Sequence, residues 1–248
     1  MNLKESLKTE NKVCASKMTL TQTLFSVLWI AMHVIGIPYL IVRIPGIMQK
    51  YDEATLSFIC YAISAAVLIV VNWSFLKNDY FTLGDNLSKI IFTIIRCYLI
   101  MLAVDMMLSA IITAISAVAE VTIEVSNENN EVIMDMAADN YGMIKAASIF
   151  LAPIAEELMF RGAIFGGLRK HNRIIAYAVS MLAFSIYHVW GYAIYDPSYW
   201  WYILQYLPVS FVICYCYEKC DSIWGSMFFH MSWNAITLYA LSALEEFL

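Results

Sequence analysis

One apolar stretch of the sequence, residues 152–161, carries two adjacent carboxylates and a guanidinium in the pattern APIAEELMFR. Glu157 and Arg161 are four residues apart with the acid first, which is the better order for an ion pair on a helix. Such a pair neutralises one carboxylate. Glu156 lies about 100° away around the helix, so it faces a different neighbour and remains free to act.

Two further groups with helical spacing follow along the chain. The pattern FSIYH ends at His188, and the pattern HMSWN places His230 and Asn234 four residues apart, on one face of a helix. A carboxylate in a low-dielectric pocket can take a proton near neutral pH, and next to a histidine it can activate a water. Imidazole and amide N–H groups can donate to a developing oxyanion. The three groups together therefore indicate a hydrolytic site.

The same residues allow two other interpretations. One or both of Glu156 and Glu157 could hold a zinc ion together with His188 and His230, with one position left open. Alternatively, the polar side chains could simply join helices through hydrogen bonds, each worth about 0.6 kcal/mol in a bilayer. Joining helices does not require two adjacent carboxylates and two histidines on three separate helices. A water-activating site without a cofactor is therefore the leading hypothesis, and zinc is the alternative.

A proline and two glycines flank the paired glutamates. Pro153 removes a backbone donor and can bend the helix just before Glu156. Gly162 and Gly166 follow at a spacing that lets another helix approach closely. The sequence therefore predicts an irregular, tightly packed helix around the site.

The elements that position these residues must lie in a lipid bilayer. Of the 248 residues, 61% are hydrophobic and only 14% are charged, and the mean hydropathy is +0.67. A soluble domain usually has about a quarter of its residues charged. The formal net charge of −5, with no basic patch among aromatics, argues against a nucleic-acid partner.

The predicted fold is all-α, a polytopic transmembrane helix bundle with about seven spanning helices, or six to eight. A spanning helix needs about 20 mostly apolar residues. The third predicted segment is long enough to extend beyond the bilayer, and the fifth and sixth are short. The segments are Leu20–Val42, Ala54–Leu76, Ile90–Val118, Ala146–Leu168, Ile174–Trp190, Trp200–Tyr217 and Ile223–Leu244.

Loop charges predict the orientation of the bundle in a cell membrane. In a seven-helix arrangement, one side collects the N-terminal lysines, Lys77 with Lys89, the run Arg169–Arg173, and Lys219. By the positive-inside rule, this side and the N-terminus are cytoplasmic. The opposite side holds an acidic stretch that we interpret as a solvated hydrophilic loop. Its acidic residues are Glu120, Glu124, Glu128, Glu131, Asp135 and Asp139.

The three motifs EExxxR, FxxxH and HxxxN resemble those of the CPBP family in order, type and internal spacing. This family groups the type II CAAX prenyl endopeptidases with bacteriocin-processing and self-immunity proteins, also called the Abi family. The resemblance covers Met143 to Leu244, and the first three helices add a compatible membrane profile. It divides one integrated domain into a cytoplasmic N-terminal segment (1–19), N-terminal transmembrane helices with the acidic outer loop (20–142), and a catalytic transmembrane core (143–248).

The resemblance implies an intramembrane endopeptidase with a cavity that opens to the cytoplasm. Its substrate would be a membrane-associated peptide or protein, such as a CAAX-like tail or a bacteriocin or pheromone precursor. A non-catalytic immunity or peptide-binding protein is the alternative. The implied roles are water activation for Glu156, partnership with it for His188, oxyanion stabilisation for His230 and Asn234, and support of the site for Glu157 and Arg161.

Other polar and aromatic residues receive simpler interpretations. His33 is predicted to pack or to hydrogen-bond between helices, and Asp105 needs a partner and could line the cavity. The aromatic residues of 190–202 are interpreted as an interfacial belt. The six cysteines include no CxxC pair, so we expect neither a disulfide framework nor a zinc ribbon.

Overall fold

The computed structural model describes residues 18–81, 83–119 and 128–245, and the regular structure in those residues is entirely helical. This confirms the predicted all-α fold. The N-terminal residues 1–17, which carry the first lysines and Cys14, lie outside the described residues, as do Glu120 and Glu124.

The first four helices run from the start of the described chain to Phe81. They are α1 (Leu20–Ile41), α2 (Ile47–Lys50), α3 (Glu53–Val71) and α4 (Trp73–Phe81). Helix α1 begins with a capping box, in which the Thr19 and Gln22 side chains each bond the other residue's backbone N–H. A π-helical turn at Met32–Gly36 widens its second half.

The next two helices are α5 (Leu87–Ala119) and α6 (Glu128–Ala146). Helix α6 corrects our interpretation of the acidic stretch, because this part is a helix packed against α3 and not an extended connection. Its acidic residues Glu131, Asp135 and Asp139 recur every four residues on the exposed face, while Ala137 and Ile144 are buried. That amphipathic pattern explains why a polar segment folds onto the bundle.

The second half of the chain contains the candidate site. A π-helical turn (Ala147–Leu151) leads into α7 (Ala152–Glu156), which continues as a π-helical segment (Glu157–Phe165) and as α8 (Gly166–Arg169). Helix α9 spans Arg173–Ala193, a 3₁₀ segment spans Pro197–Tyr202, and α10 (Ile203–Cys220) and α11 (Ile223–Glu245) end the described chain. Phe160, Phe184 and Phe229 from three of these segments meet in the main core.

By length and apolar composition, four helical stretches of the described chain could cross a membrane: Leu20–Ile41, Glu53–Val71, Leu87–Ile115 and Arg173–Ala193. They correspond to the first, second, third and fifth predicted segments. The fourth is divided into short α- and π-helical pieces, and α10 contains Pro208. The number of seven spanning helices therefore stays a prediction.

At the basic end of the bundle, Glu218 joins three helices. Its carboxylate accepts hydrogen bonds from Arg169 on α8, from Arg173 Nη2 on α9 at 2.8 Å and from the Tyr177 hydroxyl at 2.9 Å. Burial opposes the charge of Glu218, but the bonds from Arg173, Arg169 and Tyr177 hold its pKa below the ordinary value. Glu218 therefore holds α8, α9 and α10 together at the basic end of the bundle.

A second polar contact fixes the start of α11, which carries two candidate site residues. Asp79 of α4 is buried, and its Oδ2 accepts hydrogen bonds from the Ser222 hydroxyl at 2.6 Å and from the Ile223 N–H at 3.0 Å. Asp79 therefore caps the free N–H groups of α11 from another helix.

Replacing Asp79 by Ala is expected to lower the free energy of unfolding by about 1–2 kcal/mol, because a cap is lost and a buried amide loses its partner. Unfolding in mixed micelles with increasing SDS measures the effect. Asp139→Ala, which removes an exposed carboxylate from α6, is the matched control. Equal midpoints for the two variants would contradict the capping role.

Candidate active site

A cavity of about 790 Å³ lies between the helices, and Glu156, His188, His230 and Asn234 all line it. The structure thus brings together four predicted site residues from α7, α9 and α11. Glu157 and Arg161 lie behind this wall and are fully buried. The different orientations of Glu156 and Glu157, which we expected from helical geometry, are confirmed.

Glu157 and Arg161 form the predicted ion pair, with 3.2 Å between Arg161 Nη1 and Glu157 Oε1. Arg161 Nη2 also donates to the carbonyl and the hydroxyl of Ser210, at 3.3 and 3.2 Å, and the guanidinium lies 4.2 Å from the ring centroid of Phe184. Each charge therefore has at least one polar partner inside the bundle. It connects the π-helical segment to α9 and α10.

The same carboxylate orients His230. Its Nδ1 lies 2.9 Å from Glu157 Oε1, and its Nε2 lies 3.7 Å from Glu156 Oε2. A carboxylate only accepts hydrogen bonds. His230 Nδ1 therefore carries the ring proton and donates a hydrogen bond to Glu157. The second distance is longer than a hydrogen bond. When protonated on both nitrogens, the ring can donate into the space beside Glu156.

His188 also carries its proton on Nδ1. Its Nδ1 lies 2.8 Å from the Phe184 carbonyl, which fixes the proton on Nδ1 and leaves Nε2 as an acceptor. The ring stacks on Tyr206 with 4.6 Å between centroids. His188 therefore presents a rigid acceptor to the cavity.

Asn234 connects α11 to the start of the site helix. Its Nδ2 donates to the Ser148 carbonyl at 2.9 Å, within the π-helical turn that precedes α7. One of the two N–H groups is thereby used, and the second remains for a bound group. The side chain is partly exposed to the cavity.

The backbone around Glu156 is irregular on both sides, as Pro153 predicted. Pro153 cannot donate a helical hydrogen bond, and the π-helical turn at Ala147–Leu151 ends just before it. A second π-helical segment begins at Glu157. Such widened turns often accompany functional sites, because an inserted residue changes the direction of the next side chain. At Gly162, an added Cβ would meet the side chain of Met18, as expected for a close helix approach.

Sequence reasoning missed part of the cavity wall. Tyr61 and Tyr187 face each other with 3.0 Å between their hydroxyl oxygens, and Tyr187 also contacts His33. The interhelical hydrogen bonds of His33 confirm its interpretation, but the sequence did not indicate that His33 lines the cavity. The position of Tyr187 next to His188 was the one available signal.

Other residues reach the cavity from the periphery. Asp105 lines it, as we considered from the sequence, and Trp190 and Tyr192 line it as well. Part of the predicted aromatic belt therefore belongs to the cavity wall. Tyr199 and Tyr202 instead stack on each other, with 5.5 Å between ring centroids.

In the zinc alternative, the ligands would come from Glu156, Glu157, His188 and His230. Among the described residues, no three His, Cys, Asp or Glu side chains are grouped so that they could hold a metal ion. Glu157 Oε1 is shared by Arg161 and His230, whereas the buried Glu157 Oε2 has no hydrogen-bond partner among the described residues. The described cysteines are all free thiols.

The cavity lies at the end of the bundle away from the basic loops. Its lining includes Pro38 near the end of α1, Trp190 near the end of α9 and Leu241 near the end of α11, and each of these helices begins at the basic end. The cytoplasmic N-terminus and the opening of the cavity to the cytoplasm both stay predictions.

Comparison with known proteins supports a membrane protease. Residues 141–236 match the family described as "Type II CAAX prenyl endopeptidase Rce1-like", which confirms the resemblance seen in the motifs. This segment contains all six predicted site residues.

Two curated relatives match a similar part of the chain. "UPF0177 protein YxdF" of Lactococcus lactis is 33% identical over 97 residues, which are 39% of this chain and 49% of the relative. "Putative membrane peptidase YdiL" of Bacillus subtilis is 30% identical over 124 residues, which are 49% of this chain and 47% of the relative. The chain thus spans about half the length of each. No solved structure matches it.

Proposed function

We propose, from the similarity of residues 141–236 to the type II CAAX prenyl endopeptidases, that the chain is an intramembrane endopeptidase that activates water with Glu156. The observation that carries this proposal is the convergence of Glu156, His188, His230 and Asn234 on one cavity inside an apolar bundle. Ionisable side chains are costly inside a bilayer, and those that occur there usually mark a functional site.

The proposed reaction follows from the orientation of each group. Glu156 takes a proton from a water that also donates to His188 Nε2, and the water oxygen attacks the peptide carbonyl carbon. The carbonyl oxygen then becomes an oxyanion. When the C–N bond breaks, the proton on Glu156 passes to the leaving amine. The second water proton stays on the new carboxyl group of the product, and the Glu156 carboxylate is ready for the next cycle.

Two donors are available for the oxyanion. Asn234 has one N–H that is not used by Ser148, and His230 donates from Nε2 when its ring is protonated. Glu157 and Glu156 lie on either side of that ring, 2.9 Å from Nδ1 and 3.7 Å from Nε2. Donors fixed by other contacts stabilise a developing charge without having to reorganise.

The proposed substrate is a membrane-associated peptide or small protein, and the proposed site is in a cell membrane. A cavity of about 790 Å³ has the volume of a typical ligand pocket and accommodates a few residues of an extended chain. CAAX-like tails and bacteriocin or pheromone precursors are the candidate classes. No nucleic acid is proposed as a partner.

The test is cleavage of prenylated and leader-type peptides by purified protein in liposomes, with products identified by mass spectrometry. Wild-type protein is expected to cleave at least one peptide, with or without a chelator. Asn234→Ala is expected to lower kcat by about 10²–10³-fold, because one oxyanion donor is removed. Gln49→Ala removes an exposed amide from α2 and serves as the matched control.

Three results would decide against this mechanism. Loss of turnover with the chelator and its recovery with zinc would favour the metallopeptidase alternative. Equal turnover of Asn234→Ala and Gln49→Ala would remove the oxyanion role of Asn234. Binding of a peptide without cleavage would favour the immunity or peptide-binding alternative.

A further inference from the structure

One charged side chain in the cavity wall has no part in the proposed reaction. Of the described residues, Asp105 and Glu156 are the acidic ones that line the cavity, and no lysine or arginine does. Asp105 belongs to α5 and lies on the same helix face as Cys97 and Met101, which are 0% and 3% exposed. Because this face of α5 is turned towards the bundle, the carboxylate of Asp105 lies on the cavity side and not on the lipid side.

Asp105 has no ionic partner within the bundle. Among the described side chains, none forms a hydrogen bond or an ion pair with it. Arg43, Lys50 and Lys145, which lie outside the basic end, are instead placed over tyrosine rings, with 4.4, 5.1 and 5.0 Å from the cationic group to the ring centroid. None of these three residues lines the cavity. The carboxylate is therefore available to a cation that another molecule supplies.

A structural role does not account for Asp105. A charged side chain inside a bilayer is costly, and such residues normally pair with another polar group or line a water-filled cavity. Because no described residue of another helix pairs with Asp105, the residue does not join helices there. A neutral side chain would fill the same place in α5 at a lower cost. Contact with the cavity explains how the carboxylate is tolerated, and binding of a substrate group explains why it is present.

The helical rise places Asp105 nearer to the open end of the cavity than Asn234. Helices α5 and α11 both begin at the basic end, and at about 1.5 Å per residue Asp105 lies about 27 Å along α5 from its start. By the same rise, Asn234 lies about 17 Å along α11 from its start. The difference of about 10 Å corresponds to about three residues of an extended chain. A peptide whose scissile bond lies beside Asn234 therefore brings a side chain about three residues away to Asp105.

We propose that Asp105 is a specificity-determining residue, which binds a lysine or arginine side chain of the substrate about three residues from the scissile bond. The inference rests on the proposed peptidase function and assigns its substrate class as cationic peptides. A carboxylate forms charge-assisted hydrogen bonds with an ammonium or guanidinium group, and these are about twice as strong as neutral ones. The cavity wall also contains the rings of Trp190 and Trp233, and the faces of such rings attract cations.

The test compares peptides that differ in one side chain. Lysine or norleucine is placed in turn at each position up to about four residues on either side of the scissile bond of a cleaved peptide. With wild-type protein, we expect kcat/KM to be about 10- to 100-fold higher for lysine than for norleucine at one position, because norleucine cannot donate to the carboxylate. In Asp105→Asn this ratio should fall to within about twofold of one, and the difference should appear mainly in KM.

Two further variants separate recognition from packing. Asp135→Asn makes the same change on the exposed face of α6 and is the matched control, which should keep the wild-type ratio. Asp105→Lys should reverse the preference, so that a peptide with glutamate at the selected position is cleaved faster than the lysine peptide. A purely structural Asp105 would give variants in which the rates for both peptides change by the same factor.

Binding can be measured without cleavage. Glu156→Gln protein in phosphatidylcholine liposomes is titrated with a fluorescein-labelled alanine–leucine peptide that carries one central lysine, and with its norleucine counterpart. Fluorescence anisotropy, corrected with protein-free liposomes, gives Kd for each peptide. We expect Kd to be about tenfold lower for the lysine peptide, and the two values to become equal when Asp105→Asn is added to Glu156→Gln.

The outcomes separate this proposal from the proposed function. Equal Kd values for the two peptides, or a lysine preference that is the same with and without Asp105, would overturn the role of Asp105. Cleavage by the wild type with no preference for lysine at any position would also overturn it and would leave the peptidase function intact. A lysine preference in binding that depends on Asp105, in a protein that cleaves no peptide, would instead reject the proposed function alone.

Discussion

Replacing Glu156 by Gln is expected to reduce turnover by about 10³-fold or more while the protein remains folded. The amide keeps the shape of the side chain but cannot take a proton from water, and general-base catalysis contributes about 10²–10⁴-fold. Glu156 lines the cavity and is not a partner of Arg161, so the substitution leaves the Glu157–Arg161 ion pair in place. Initial rates on a cleaved peptide, together with the midpoint of thermal unfolding, measure both parts of the expectation.

Glu131→Gln is the matched control for this variant. It makes the same chemical change on the exposed face of α6 and should leave the rate unaltered. Turnover of Glu156→Gln within tenfold of wild type would show that another group activates the water. His188 would then be the next candidate, because its Nε2 is an acceptor that faces the cavity.

Replacing Arg161 by Met is expected to destabilise the protein by about 3–5 kcal/mol, because it leaves the buried charge of Glu157 without its ionic partner. Both side chains are 0% exposed, so water cannot compensate. The substitution also removes the hydrogen bonds of Arg161 to Ser210. It frees the side chain of Glu157, which orients the ring of His230. Unfolding in mixed micelles with SDS, followed by circular dichroism, gives the change in free energy.

A double variant provides the internal control. Arg161→Met combined with Glu157→Gln removes both charges and should recover part of the lost stability. Arg173→Met changes the same residue type at a half-exposed position, where one ion pair is worth at most about 1 kcal/mol. A similar loss for Arg161→Met and Arg173→Met would contradict the buried, uncompensated charge as the cause.

The local part of the site was predictable because helical geometry relates nearby residues. The order and spacing of Glu157 and Arg161 predicted their ion pair, and the rotation per residue predicted that Glu156 faces elsewhere. The motifs around His188 and His230 also indicated that separate helices meet at one site. These inferences need only the number of residues per turn and the cost of charge in an apolar region.

The rest depends on contacts between distant parts of the chain. His33 and Tyr187 are 154 residues apart, and no local pattern relates them. The acidic stretch was interpreted as a loop because its net charge is high, yet α6 buries Ala137 and Ile144, on either side of a kink at Asn140. The buried apolar residues of α6 favour a helix packed against the bundle. The charged residues between them hid this pattern in the sequence.

The location of the cavity opposite the basic loops has a topological consequence for the substrate. With the basic loops in the cytoplasm, as the positive-inside rule predicts, the scissile bond would be reached from the external leaflet. A prenylated cytosolic tail would then have no direct route to Glu156. A precursor that is being exported, or one that arrives from a neighbouring cell, would meet the site on the side where its product is released.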